Sequence, residues 1–244
     1  MDNNFRKTNL NNIESATIVD QKNLLALVFG WLFIGMILTT ISSMVFAFIP
    51  SLYELTVSVT PLGHVKRTMF GHIIAFSPLI MLIGLGAGYR KLSFTALATF
   101  FIAFSLIFGV SISFIFKAYD IGSIVNVFLS TTALFGVMAG VGYFTNTDLT
   151  KLGNILKIGL VGIFIASLIN YFVGNSSMGY IISVLAVVIF TGLTAYDMQK
   201  IKDTLSQNDG SESFKKLALM GALNLYLDFI NLFMALLNIF GRRN

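Results

Sequence analysis

The chain has 244 residues, of which 56% are hydrophobic and only 11% charged, and its mean hydropathy is +0.83. A soluble domain of this length carries roughly a quarter charged residues, so the composition excludes an ordinary soluble protein. The formal net charge is +5, but the basic residues stand at the ends of apolar runs rather than in one cluster, which argues against a nucleic-acid partner. The absence of cysteine excludes disulfides, thiolate catalysis and cysteine-ligated metals.

The apolar runs predict a polytopic membrane protein that folds within a lipid bilayer. A hydrocarbon core of ~30 Å needs a helix of about 20 residues with few charges. Runs of this kind follow one another with short connections, which predicts a single membrane domain, residues 24–244, behind a polar tail, residues 1–23. The seven predicted spans are Leu24–Ile49, Thr68–Tyr89, Leu92–Phe116, Ile121–Phe144, Ile155–Val173, Met178–Tyr196 and Leu217–Phe240.

The distribution of basic residues predicts the orientation of these spans. Lys and Arg are more frequent in the segments on the side of the N-terminus than in those on the opposite side. The positive-inside rule therefore predicts a cytoplasmic N-terminus and, with seven spans, an external C-terminus. The pair Arg242-Arg243 argues mildly for the other orientation.

Glycines at regular spacing suggest where helices pack closely. Gly84, Gly86 and Gly88 fall near the end of span two, and Gly136 and Gly140 form a small-xxx-small pair in span four. Close helix contact is the prediction for both groups, and neither is assigned any chemistry.

Three polar residues interrupt span seven. Asn224, Asp228 and Asn231 are spaced four and three apart, so they share one helix face. An Asp at the centre of a span costs about 2.5–3.5 kcal/mol on insertion scales, so this face should contact protein or water rather than lipid. Asp228 lies so near the middle of its span that no shift of boundaries moves it into a loop.

A second acidic residue, Asp197, stands at the end of span six. Two interpretations are open: an interfacial carboxylate among lysines, or a residue drawn below the surface because the helix continues to about Leu205. In the second case Asp197 and Asp228 approach the same side of the membrane and can meet. Carboxyl groups in contact titrate as a unit, and such a pair can serve as a proton switch, a divalent-cation site, or both.

Two sequence segments resemble a known family. TGLTAYDMQKIK at 191–202 and LNLYLDFINLFMALLNIFG at 223–241 are similar to the last two helices of the Bax inhibitor family, the transmembrane Bax inhibitor motif proteins. The stretch FGVMAGVGYFTNTDLTKLGNIL at 135–156 resembles the family's connection between spans four and five, and the seven-span layout agrees along most of the chain.

The resemblance implies a fold and a function. The expected fold is all-α, with six transmembrane helices in two layers around a central seventh. The expected function is a pH-sensitive calcium leak, with Asp197 and Asp228 as pH sensor, cation gate and candidate calcium ligands, and Arg90 as a latch on that pair. Asn224 and Asn231 complete the polar face, no cofactor is expected besides calcium as the transported ion, and a bacterial inner membrane is the expected location. Relatives linked to membrane proteolysis supply an alternative function, an interaction protein that modulates a quality-control protease, with residues 1–23 as the handle.

Enzymatic activity is not predicted. An intramembrane serine protease pairs an activated Ser with a His on a facing helix, but the two histidines are His64 in a loop and His72 at a helix end. An intramembrane aspartyl protease also uses two aspartates. Of its usual flanking signatures, however, only the Tyr-Asp pair is present, at Tyr196-Asp197.

Overall fold

The computed structural model describes the backbone of residues 2–59, 65–205 and 212–244. Side chains are described for this part of the chain except those of residues 2–24 and of Val59, Val65, Arg90, Leu205 and Ser213. The long helices are α1 (Asp2–Phe48), α3 (Met69–Gly88), α4 (Phe94–Ile112), α6 (Ile121–Phe144), α7 (Thr150–Val173), α8 (Ser176–Leu205) and α9 (Glu212–Phe240). The short elements are α2 (Pro50–Thr56), β1 (Val57–Val59), β2 (Val65–Arg67), a 3-10 helix (Tyr89–Lys91) and α5 (Ile115–Ala118).

Seven helices of the described part are long and apolar enough to cross a membrane, which confirms the predicted number of spans. The first runs from Leu25 to Phe48 and the last from Phe214 to Phe240, each within a few residues of the predicted bounds. Span five begins at Thr150, five residues earlier than predicted, and α8 does continue to Leu205. Asp197 therefore lies inside a helix and not at its end.

Polar residues beside the apolar runs define where several spans begin and end. The side chains of Thr68, Ser93 and Asp120 accept hydrogen bonds from backbone N–H groups in the first turns of α3, α4 and α6. These N-caps satisfy donors that would otherwise lack a partner at the membrane surface. At the other end of α7, Gly174 adopts φ +71°, a left-handed conformation that ends the helix and is open to glycine.

Helix α9 occupies the centre of the bundle. On one side of it lie α1, α3 and α4, on the other α6, α7 and α8, and α9 packs directly against α1, α4, α6 and α8. Buried residues make up 61% of the most hydrophobic stretch of α9, against 11–39% in the other spans. The arrangement confirms the predicted fold class, six helices in two layers around a central seventh.

A buried tyrosine fixes α9 against the first layer. The Tyr226 hydroxyl lies 2.6 Å from the Thr39 hydroxyl of α1, and Thr39 donates to the carbonyl of Ser105 in α4 at 3.0 Å. The Tyr226 ring packs edge-on against Phe101, Phe104 and Phe108. Because Tyr226 is only two residues before Asp228, this network also sets the height of the aspartate in the bundle.

The two ends of the bundle are named after the chain termini. At the N-terminal face the first span begins and the linkers 89–93 and 145–149 lie. At the C-terminal face lie residues 49–59 and 65–68, the linkers 113–120 and 174–175 and the last residues of the chain. There β1 and β2 form an antiparallel hairpin, and Tyr119 forms an isolated β-bridge with Arg243.

The regularly spaced glycines do not mediate helix contacts. A Cβ placed on Gly84, Gly86, Gly88, Gly136 or Gly140 would have nothing within 4 Å, so the prediction of close packing at these positions is wrong. Close approaches occur instead at isolated glycines that face a backbone or a ring of another helix. Gly142 and Gly153 are the two examples nearest to the aspartates.

Candidate functional site

The structure brings Asp197 of α8 and Asp228 of α9 together. Their side chains are hydrogen-bonded to each other and are buried, with exposed fractions of 9% and 4%. A carboxylate is only an acceptor, so a hydrogen bond between two carboxyl groups requires a proton on one of them. The two carboxyl groups can therefore share a proton, and uptake or loss of a proton there would change the charge between α8 and α9.

One oxygen of the pair has no partner. Asp228 Oδ2 is buried, and no hydrogen-bond partner lies within reach of it among the described residues. A buried carboxylate oxygen left unpaired is costly, since neither water nor a donor compensates for its lost hydration. This oxygen is a place where a proton, a water molecule or a cation can bind.

Two glycines position Asp197 by letting neighbouring helices approach α8. A Cβ on Gly142 of α6 would overlap the backbone carbonyl of Ala195, and a Cβ on Gly153 of α7 would lie 2.6 Å from Cε2 of Tyr196. Both contacts fall immediately before Asp197 in α8. The absence of a side chain at these positions therefore fixes how deeply α8 sits beside α6 and α7.

Polar contacts hold the same part of α8 at the N-terminal face. Gln199 accepts from the backbone N–H of Leu149 at 2.9 Å and donates to the carbonyl of Thr147 at 2.8 Å, which ties α8 to the linker between α6 and α7. Lys157 of α7 donates to the Tyr196 hydroxyl at 3.0 Å and lies 4.3 Å from the centre of its ring. Lys157 and Lys200 are the positive charges that act on Asp197.

Sequence analysis missed these contacts, although one signal was present. Lys157 fell within predicted span five, where a lysine needs a partner, and it was assigned only to the surface charge of the N-terminal face.

The aspartate pair lies between two cavities. A cavity of about 200 Å³ at the N-terminal face is lined by Asp197, Lys200 and Asn224, together with Tyr89 from the end of α3. A larger cavity of about 550 Å³ opens towards the C-terminal face, and Asn231 is among its lining residues. Asn224 and Asn231 flank Asp228 on one face of α9, as predicted. The polar face of α9 thus reaches one cavity on each side of the pair.

Arg90, the predicted latch, has a described backbone but a side chain that lies outside the described residues. It belongs to the 3-10 helix Tyr89–Lys91, directly after α3. Its neighbour Tyr89 lines the N-terminal cavity together with Asp197. The backbone of Arg90 therefore lies beside that cavity, and contact of its guanidinium with the pair stays a prediction.

The aspartate pair is not part of a larger cluster of acidic or imidazole side chains among the described residues. No group of three or more His, Cys, Asp or Glu side chains that could hold a metal occurs among the described residues. Calcium takes six to eight oxygen ligands, and two carboxyl groups supply at most four. A cation bound at the pair would therefore take its remaining ligands from water, amide or backbone oxygens.

Comparison with known proteins agrees with this architecture. Residues 21–244 match the model of a family described as inhibitor of apoptosis-promoting Bax1. The chain is 38% identical over 222 residues to the inner membrane protein YbhL of Escherichia coli K12, covering 90% of this chain and 91% of that protein. It is 39% identical over 237 residues to a protein of Borreliella burgdorferi, covering 94% and 96%. With seven spans around a central helix and this match along nearly its whole length, the chain is an integral membrane protein that belongs to the Bax inhibitor family.

Proposed function

We propose that this protein is a pH-sensitive leak pathway for cations, calcium among them, in a bacterial inner membrane, with its N-terminal face in the cytoplasm. The observation that carries the proposal is the buried, hydrogen-bonded pair Asp197–Asp228 between two cavities along the polar face of α9. Carboxyl oxygens are the ligands that calcium prefers, and the pair stands where the two cavities come closest along α9. No chemical reaction is assigned to the pair.

The charge of the pair sets the direction of the pH response. With one shared proton the pair is negative and attracts cationic side chains nearby. Lys157 and Lys200 act on it, and Tyr89, the neighbour of Arg90 in the chain, lines the same cavity as Asp197. When the pH falls and the second proton binds, this attraction is lost. The latch is then released, and the leak is expected to rise as the solution becomes more acidic.

Calcium flux into proteoliposomes as a function of pH tests the proposal. The wild type, Asp197→Asn, Asp228→Asn and the double variant are compared, with Asp148→Asn as a matched control, because Asp148 is an exposed loop carboxylate. Each single variant is expected to abolish the pH response. The double variant should add little beyond the more affected single one, since residues that act as a unit are not additive.

Two results would revise the proposal in different ways. If Asp197→Asn keeps the wild-type pH profile while Asp228→Asn loses it, the switch belongs to Asp228 alone. If the wild type conducts no cation at any pH, the leak function is wrong. The alternative, an interaction protein that modulates a membrane protease, is then tested by asking whether proteolysis depends on residues 1–23.

A further inference from the structure

The larger cavity, which opens towards the C-terminal face and is called the C-terminal cavity below, has an arginine among its lining residues. One face of α9 presents Asn231, Ala235 and Asn238 to this cavity, with Asn231 only three residues beyond Asp228. At ~1.5 Å per residue, Asn238 lies about 15 Å along the axis from Asp228, towards the C-terminal face. Arg243 follows the end of α9 and also lines the cavity. The polar face that carries the aspartate therefore leads to a cationic side chain at the C-terminal face.

Asn238 joins α8, α9 and this arginine. Its Nδ2 donates to Ser183 Oγ of α8 at 2.7 Å and to the Gly179 carbonyl at 3.4 Å. Its Oδ1 accepts from Nη2 of Arg243 at 3.0 Å, and the guanidinium lies 5.8 Å from the ring centre of Tyr119. The guanidinium thus contacts two neutral groups, the Asn238 amide of α9 and the Tyr119 ring in the linker before α6.

The backbone around Arg243 is tied to the start of α6. Arg243 forms its β-bridge with Tyr119, and the N–H of Asp120 donates to the Arg242 carbonyl at 2.9 Å. The N–H of Asn244 donates to the Ala118 carbonyl at 3.1 Å. These bonds fix the backbone of residues 242–244 against the linker before α6, whereas the Arg243 side chain itself is exposed.

The adjacent arginine has a different role. Arg242 pairs with Asp120, with its Nη2 3.5 Å from Oδ2, and it is not among the residues that line the cavity. Its positive charge is compensated by a carboxylate, whereas the groups that hold Arg243 are uncharged. The two arginines therefore form a natural comparison: both side chains are exposed, but Arg242 is paired with a carboxylate, whereas Arg243 is bonded to Asn238 and lines the cavity.

We propose that Arg243, held by Asn238, is a charge filter where the C-terminal cavity opens at the C-terminal face. Its positive charge opposes the entry of cations into this cavity, which Asn231, three residues from Asp228, also lines. A fixed positive charge lowers the local concentration of cations and raises that of anions, most strongly between low-dielectric walls. The inference rests on the proposed function, because it assigns a second point of control to the same pathway. It predicts that cations pass only when Arg243 leaves Asn238.

Cysteine labelling tests the filter without requiring any ion flux. The chain has no cysteine, so Ala235→Cys supplies a single reporter on the cavity wall. Its rates of modification by a cationic and an anionic methanethiosulfonate of similar size are measured from the C-terminal face. With Arg243 present the anionic reagent is expected to react faster. Arg243→Gln should lower the anionic-to-cationic rate ratio by about tenfold, and Arg243→Lys should preserve most of it.

Arg242→Gln is the matched control and should leave the ratio unchanged. Asn238→Ala is the second variant: it frees the guanidinium from α9 and should speed cationic labelling without removing the charge. The inference is overturned if Arg243→Gln and Arg242→Gln shift the ratio equally, or if the reporter reacts with neither reagent in any background.

A flux assay distinguishes the charge filter from the proposed function. Arg243→Gln should raise cation flux, and Asp228→Asn should still abolish the pH dependence of that flux. A shifted labelling ratio in a protein that conducts nothing would retain the filter and reject the leak.

Discussion

The contact between Gly142 and α8 makes a testable link between helix packing and the aspartate pair. A Cβ at Gly142 would overlap the carbonyl oxygen of Ala195 and lie 2.7 Å from its carbonyl carbon, where ordinary contact begins at 3.4 Å. Both obstacles are backbone atoms, which no rotamer change can move. Gly142→Ala therefore forces α6 and α8 apart by at least about 0.7 Å. The displaced segment of α8 is the one that carries Asp197.

The expected cost follows from the size of this overlap. Inserting a methyl group into a packed contact typically costs about 1–3 kcal/mol. The gain from replacing a helical glycine with alanine, about 0.5–1 kcal/mol, offsets part of it. The central values leave a net loss of about 1 kcal/mol, which lowers the melting temperature of a protein of this size by about 2–4 °C. The displacement should also weaken the hydrogen bond of the aspartate pair and shift the pH profile of calcium flux.

Gly140→Ala is the control, because it makes the same chemical change two residues away in the same helix, where a Cβ meets nothing within 4 Å. It should leave the melting temperature unchanged or raise it slightly, and it should leave the pH profile intact. Thermal unfolding in detergent and flux in proteoliposomes measure the two effects. If Gly142→Ala is as stable as Gly140→Ala and has the same pH profile, the helix contact does not position Asp197 as argued.

Three further predictions concern the orientation, the latch and a contact at the N-terminal face. A cysteine at residue 2 should label from the cytoplasm and one at residue 244 from outside; labelling of both from one side would contradict an odd number of spans. Arg90→Ala should raise calcium flux at neutral pH if the guanidinium holds the pair closed, and unchanged flux in a folded variant would make Arg90 an ordinary interfacial cation. Glu212 accepts from the backbone N–H of Phe94 at 3.0 Å, which holds the pKa of Glu212 below its ordinary value. Its contribution to stability is present above the unfolded-state pKa and is lost as the pH falls through the lower folded-state pKa. Glu212→Ala should therefore lower the melting temperature at neutral pH and match the wild type at strongly acidic pH, and a difference that persists there would mean a non-electrostatic role.

Much of the fold could be predicted from the sequence because lipid makes apolar length informative. The predicted bounds of most spans lie within a few residues of those in the structure, and the early start of α7 was hidden by Lys151 and Lys157, which shorten the apolar run. The polar face of α9 predicted contact with protein or water, since Asp228 and its two flanking asparagines are costly in contact with lipid, and the family resemblance implied the central position of this helix. The same reasoning pointed to the meeting of Asp197 and Asp228, once α8 was expected to continue past Asp197.

The contacts that position the pair could not be predicted, because they depend on two helices at once. Gly142 and Gly153 are isolated glycines without a spacing motif, and what distinguishes them from Gly136 and Gly140 is the atom that faces each of them. The hairpin of β1 and β2 left a local signal in its β-branched residues, Val57, Val59 and Val65. The hydrogen bond between Asn238 and Arg243 left no signal in the sequence, because nothing in an apolar helix or in a pair of basic residues indicates that the two side chains meet.

Residues whose cost depends on one position can be recognised in a sequence, whereas contacts between two elements cannot, and the two proposed control points differ in this respect. A polar residue inside a span has an unfavourable free energy of insertion wherever it would face lipid. Asp228 and the asparagines of α9 can therefore be recognised in a single sequence. A barrier made by Arg243 has no such cost, because an arginine at the membrane surface is ordinary wherever its side chain points. What would give it a function is the geometry of residues 241–244, which run from the end of α9 to Tyr119 and place Arg243 at the cavity that Asn231 also lines. The proposed pathway would therefore have one control point that the sequence reveals, at the aspartate pair, and a second that only the fold creates, at Arg243.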